Sequence, residues 1–178
     1  MQSGVGLTGR FWAHEHFGIE PDLVAFGKKM QVCGMIAGPR IDEEPENVFK
    51  VSSRINSTWG GNLVDMVRAQ RFLEIIEEEK LVEHAAAMGA HLVKQLQAVS
   101  AEFPDFYTNP RGLGLMCAID LPDKRTRDQV ADKVYELGMV ILGCGQRSLR
   151  FRPPLDVTAD ELDEAAGILR KSAKAIRG

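Results

Sequence analysis

Apolar positions change their period several times along the chain, and each change marks an element. Leu23–Phe26 is a short apolar run that predicts a buried strand leading to Lys28, and Met35–Gly38 reads as a second strand. Ahead of them, residues 1–20 are glycine-rich and then aromatic. They read as a loop and a short helix over Arg10–Phe17, stopped by Gly18. Asp42–Glu46 reads as a solvated turn and residues 52–62 as a polar loop. From residue 63 the spacing becomes helical, with Leu63, Met66, Val67, Leu73 and Ile76 as one stripe. After Glu77-Glu78-Glu79-Lys80 it resumes with Leu81, Ala85, Met88, Leu92, Leu96 and Val99. The handover near Lys80 divides the chain into residues 1–80 and 81–178.

The second part alternates strands and helices. Leu113–Leu121 reads as one strand after a Pro110-Arg111-Gly112 turn, and Arg127–Leu137 as a helix with a Thr126/Gln129 capping box and Gly138 as its stop. Met139–Leu142 and Ser148–Phe151 read as strands. The last helix starts at Thr158 with Glu161 as its box partner, and buries Leu162, Ala165, Leu169, Ala173 and Ile176. This pattern predicts a small α+β layer with its helices on one face of the sheet.

Bulk composition narrows the function classes. With 178 residues, 44% of them hydrophobic, the chain can build one sizeable core, or a small domain plus part of another. A net charge of −3, with both signs mixed along the chain, gives no electrostatic footprint for nucleic acid or a membrane surface. No apolar run reaches the length of a membrane span, and the first residues lack the basic and apolar regions of a signal peptide. Cys33, Cys117 and Cys144 are odd in number and far apart, which fits reduced thiols in the cytoplasm.

Several local patterns invite chemistry. Gly4-Val5-Gly6-Leu7-Thr8-Gly9 spells a dinucleotide fingerprint, but no strand precedes it, so it reads as a glycine-rich loop. His14 and His16 would point to different helix faces and lack a third ligand; His84 and His91 read as surface residues. Lys28, at the end of an apolar strand, is placed where burial lowers an amine's pKa and frees it for Schiff-base chemistry. Lys29 competes with it, and in extended chain only one of the two can face a site. Arg150 and Arg152 alternate on a strand that ends at Pro153-Pro154, so one can offer its fork to a carboxylate. Asn56-Ser57-Thr58-Trp59-Gly60-Gly61-Asn62 offers hydroxyl, amide and backbone donors ahead of a helix, which suits either phosphate binding or plain capping.

In this order, Pro21 through Lys28, the Asn56–Asn62 loop and Arg150–Leu155 together resemble the class III aminotransferases, pyridoxal phosphate enzymes of fold type I. The details Phe26-Gly27-Lys28-Lys29 and Gln31-Val32-Cys33-Gly34 are similar to that family's lysine 6-aminotransferase branch. The resemblance implies an α/β fold: the end of a large-domain sheet over residues 1–80, then the small C-terminal α+β domain over 81–178. It implies pyridoxal 5'-phosphate as cofactor, held by Lys28, which also acts as the catalytic base. Thr58, with Ser57, would bind the cofactor phosphate of a neighbouring subunit in a homodimer. Gln2 would lie beside the cofactor's phenolic oxygen, and Arg150 would clamp a substrate carboxylate near Asn56 and Gln2. The implied reaction moves the ε-amino group of L-lysine to 2-oxoglutarate, with ornithine or 4-aminobutyrate as alternative donors. The family's Asp for the pyridine nitrogen, its ring-stacking aromatic and its phosphate loop belong upstream of Gln2. The resemblance is therefore to a C-terminal portion, and a truncated, inactive relative is the competing expectation.

Overall fold

A computed structural model describes residues 2–55, 58 and 61–178. Strands β1 (Leu23–Phe26) and β2 (Gly34–Ala37) pair antiparallel, Leu23 opposite Ala37 and Phe26 opposite Gly34. Helices α1 (Leu63–Glu78) and α2 (Leu81–Glu102) follow, broken at Lys80, whose φ of 52° ends one helix before the next begins. Strands β3 (Thr108–Leu113) and β4 (Met116–Asp120), helix α3 (Lys124–Glu136), strands β5 (Leu142–Cys144) and β6 (Ser148–Phe151), and helix α4 (Ala159–Arg177) complete the chain.

The last four strands form an antiparallel sheet in the order β3-β4-β6-β5. Alternation along β4 and β6 gives the sheet two unlike faces. Cys117 pairs with Phe151 and Ile119 with Leu149, and all four side chains are buried. Helices α2, α3 and α4 pack on that face through Leu92, Leu96, Val130, Val134, Leu162 and Leu169. Tyr107 lies wholly buried in the same core, its hydroxyl paired with Ser172 Oγ at 2.9 Å. The opposite face carries Arg111, Asp120, Ser148 and Arg150. There Arg111 Nη1 and Ser148 Oγ donate to Asp120 Oδ1 at 2.8 and 2.6 Å, and Asn109 donates to Oδ2. Burial pushes the Asp120 carboxyl up, but these donors outweigh it and hold the group below the ordinary carboxylate range.

The glycine-rich start is part of this core. Leu7 is buried, and its carbonyl accepts from Leu115 N at 2.9 Å. A side chain at Gly114 would collide with the Leu7–Gly9 backbone, and one at Gly89 in α2 would collide with Gly114. Three backbones thus meet where two glycines let them, and within the N-terminal stretch Gly9 allows a similar close approach, since a side chain there would collide with Ala86 of α2.

Several expectations are corrected. Leu113–Leu121 is two strands. The turn falls at Gly114 (φ 52°), and Pro110 sits inside β3, which tolerates it as an edge strand with an irregular register between Thr108 and Arg111. Helix α3 starts earlier than Arg127, because Asp123 is the cap: its carboxylate accepts from Thr126 N at 2.7 Å. The strand expected over Met139–Leu142 begins only at Leu142, since Met139 still closes the helix end by bonding Val134 O. β1 is not buried: Leu23 is 48% exposed and, among the described residues, the strand's only partner is β2. The stripe of α1 is buried only at its C-terminal end, by Ile76, while Leu63, Met66 and Val67 face outward. The first helix is a short 3₁₀ turn over Ala13–Phe17, with Gly18 stopping it at φ 61°. Asp42–Glu46 overlaps a 3₁₀ turn (Pro39–Glu43) tied down by buried Asn47, whose amide donates to the Ile41 and Glu44 carbonyls.

The Thr158/Glu161 capping box forms as expected. So does the burial of Leu162, Leu169 and Ala173 in α4. The two later histidines are anchored: His84 Nε2 meets Val157 O at 2.8 Å, and His91 Nε2 meets Asp163 Oδ1 at 2.6 Å. No helix of the described residues is long and apolar enough to cross a membrane. The three cysteines are free thiols.

Candidate active site

Gln2, Lys28, Lys29, Arg150 and Arg152 lie in the segments where the sheet's polar face and the β1–β2 hairpin meet the N-terminal strand of chain. Arg150 occupies the centre of β6, opposite Ala118 on one side and Leu142 on the other. Both neighbours are small or apolar, so the guanidinium finds no carboxylate beside it on the sheet. Its Nη1 donates instead to Gln2 Oε1 at 2.8 Å. The remaining fork of Arg150 and the Nε2 of Gln2 are donors that can still meet an oxygen-rich ligand.

After β1 the backbone does not stay extended. Lys28–Met30 forms a single 3₁₀ turn, and Lys28 itself takes a left-handed conformation at φ 49°. A non-glycine residue in that region costs on the order of 1–3 kcal/mol and is held by its surroundings. The turn separates the two amines. Lys28 is exposed, and among the described residues its amine has no hydrogen-bond partner. Lys29 turns inward, donating to Gln2 O at 2.9 Å and Gly4 O at 3.3 Å. Burial lowers the Lys29 pKa to about 8, helped by the positive charges of Arg152 and Lys28.

Beneath Lys29 lies a cavity of about 570 Å³, walled by Phe72 and Ile76 of α1 and by Pro154 and Leu155 after β6. Arg152 also lines it, and among the described residues its buried Nη1 has no partner. A buried guanidinium nitrogen left unbonded is expensive, so this position is built to meet an acceptor.

The structure therefore brings Gln2 and Arg150 into direct contact. Among the described residues Lys28 makes no hydrogen bond to either, whereas Lys29 donates to the Gln2 carbonyl. Thr58 is exposed at a turn. Asn56 and Ser57 lie outside the described residues. The sequence does not mark Lys29 as a structural group or Arg152 as half-buried with a buried Nη1. The adjacent lysines signalled a choice, but only the turn at Lys28 decides which amine faces inward. The Lys28 amine, the remaining fork of Arg150 and the Arg152 Nη1 are the groups here that could hold an anionic, carbonyl-bearing cofactor.

Comparison with known proteins gives the same direction. Residues 1–172 match the family described as aminotransferase class III. L-lysine-epsilon aminotransferase of Streptomyces clavuligerus is 53% identical over 177 residues, covering 99% of this chain and 39% of the relative. The structure of lysine aminotransferase from M. tuberculosis in the internal aldimine form superposes with a TM-score of 0.95 at 48% identity, covering 98% of this chain and 40% of that one. A probable mitochondrial 4-aminobutyrate aminotransferase of Caenorhabditis elegans is 33% identical over 178 residues, covering 99% of this chain and 36% of the relative. The chain thus spans about two-fifths of the length of the curated relatives it matches.

Proposed function

Because the chain belongs to the class III aminotransferases, we propose that it forms part of a pyridoxal-phosphate enzyme acting on L-lysine. The reaction moves the ε-amino group to 2-oxoglutarate, giving 2-aminoadipate 6-semialdehyde and glutamate. The observation that carries this reading is the pair of amines after β1: Lys29 is committed to two carbonyls, and Lys28 is exposed in strained backbone. The choice of lysine over 4-aminobutyrate or ornithine as donor rests on the 53% identity to a lysine enzyme against 33% to a 4-aminobutyrate enzyme.

Pyridoxal phosphate, when bound, supplies the carbonyl that takes up the amino group and a ring that stabilises negative charge. The chain's residues do the rest. Lys28 Nζ would anchor the cofactor and, as a free amine, would move the proton from the substrate carbon that bears the transferred nitrogen to the cofactor carbon that receives it. Gln2, held through Oε1 by Arg150, would have Nε2 available to the cofactor's phenolic oxygen. Arg150 would use the rest of its fork to receive the substrate carboxylate, with Asn56 and Gln2 as further substrate-binding residues. Thr58 and Ser57 bind the cofactor phosphate of the neighbouring subunit in a homodimer. In this reading residues 1–80 close the cofactor-binding domain and 81–178 form the small domain.

A second reading holds that the chain carries the lysine and the clamp without turning over by itself. The half-exposed β1–β2 hairpin and the outward Leu63, Met66 and Val67 favour it. The two separate on one preparation. Pyridoxal phosphate is added to the purified chain and fixed with borohydride, the modified lysine is mapped by mass spectrometry, and amino transfer from lysine, ornithine and 4-aminobutyrate is assayed. Fixation at Lys28 with transfer from lysine supports the first reading. Fixation without transfer supports the second, and fixation elsewhere removes Lys28 from both.

A further inference from the structure

Gln2 is held at both ends. Its side chain accepts from Arg150 in β6, and its main-chain carbonyl accepts from Lys29, which also takes the Gly4 carbonyl. The two anchors come from residues 27 and 148 positions away. No strand or helix supplies partners to these carbonyls, since residues 2–9 are irregular. Further along, Val5 and Leu7 are buried, so the segment is pinned at its inner end by packing and at its outer end by Lys29 on the main chain and Arg150 on the Gln2 side chain.

We propose that Lys29 is a positioning residue: by clamping the Gln2 and Gly4 carbonyls it fixes the Gln2 side chain, and through it the direction of the Arg150 guanidinium. The inference rests on the reading of Arg150 as the carboxylate clamp, but the clamp on Gln2 can be tested without it. Lys29 suits the task because one ammonium can donate to two carbonyls at once with charge-assisted bonds, whereas methionine, of similar length, has no donor. Its lowered pKa agrees with a half-buried amine whose neighbours are positive, Arg152 and Lys28. Glu79 and Asp156 line the cavity below it, but its hydrogen bonds go to the two carbonyls. The arrangement also gives the adjacent lysines separate duties. One is tied into the scaffold, and the other is left free for chemistry.

The test uses the intact chain. Lys29→Met should raise amide hydrogen exchange across Ser3–Leu7 at least tenfold, while amides of α2 and α4 keep their protection. In the same variant the Arg150 Nε–H resonance should move toward those of freely exposed arginines. Lys29→Arg should restore both in part. Gln2→Ala should release Arg150 without speeding exchange at Val5–Leu7. In the unsubstituted chain, limiting acetic anhydride should label Lys28 well before Lys29, a measurement that needs no variant to fold. Unchanged exchange and an unchanged Arg150 signal in Lys29→Met, or equal labelling of the two lysines, overturn the proposal. Borohydride fixation of pyridoxal phosphate is read separately. Fixation at neither lysine defeats the amino-transfer reading and leaves the clamp standing on exchange, whereas fixation at Lys29 defeats the clamp.

Discussion

Arg150 Nη1 donates to Gln2 Oε1 at 2.8 Å, tying the middle of β6 to the start of the chain. That bond leaves part of the planar fork for a second acceptor, and a lysine in its place would lack the rigid bidentate geometry that fixes a carboxylate. On the proposed amino-transfer reaction, Arg150→Lys should therefore raise the KM for the 2-oxoacid by tenfold or more, with a smaller change in kcat. The fold should be unaffected, since Arg150 lies on the sheet face away from the core. Steady-state kinetics beside a thermal melt read both quantities.

Gly89 and Gly167 provide a matched pair. Both are helical, but a side chain at Gly89 strikes the Gly114 backbone, while one at Gly167 meets nothing within 4 Å. Gly167→Ala should stabilise the chain by roughly 0.5–1 kcal/mol, the ordinary helix preference for alanine. Gly89→Ala should destabilise it by about 1–3 kcal/mol or more, because backbone has to move. Urea unfolding of the two variants should give opposite signs.

Alkaline pH should weaken the fold through two buried groups. Burial pushes the Cys117 thiol and the Tyr107 phenol each up to about 12, from ordinary values of 9.0 and 10.0. Between the ordinary and the raised values the unfolded chain has lost a proton that the folded chain keeps, so stability falls as pH rises. The slope is about 1.4 kcal/mol per pH unit for each group in that window. Lys29 acts the other way from about 8 to 10.5, because its folded pKa is the lower one, so the net fall steepens above that range. Tyr107→Phe should cost about 1 kcal/mol at neutral pH for the lost bond to Ser172, and should flatten the fall between pH 10 and 12.

Hydrogen exchange should divide the chain unevenly. Amides of β4, β6 and α4 stand over the buried core and should exchange slowest. Those of β1 and β2 belong to a two-stranded hairpin with Leu23 and Ile36 about half exposed, and should exchange much faster. Equal protection in the two regions would show that the hairpin has cover the present contacts do not reveal.

What the sequence made legible follows the range of the forces involved. The Thr158/Glu161 cap, Gly18 and the core stripe of α4 depend on residues a turn or two apart, and they were readable. The Asp123 cap was missed because Thr126 and Gln129 offered a second plausible box, and only the backbone shows which residue is extended. The Gly114 turn was missed for a different reason. Pro110-Arg111-Gly112 looks like a turn locally, yet the fold needs its glycine where α2 and the Leu7 segment press from both sides. At the site, Lys28 and Arg150 could be named from pattern and resemblance. The Gln2 contact of Arg150 could not, because it closes over most of the chain. The exposure of α1 was equally hidden, since helical periodicity identifies an apolar face and does not say what covers it.

The Leu7–Leu115 bond has a kinetic consequence. Joining two points so far apart in sequence requires closing a long loop, whose entropy is recovered only once both ends have a surface to meet. The turn at Gly114 is itself a product of the β3–β4 hairpin and its docking on α2. The N-terminal segment should therefore dock after that subassembly exists, as a late step in folding. A Leu7→Ala change should then speed unfolding far more than it slows refolding.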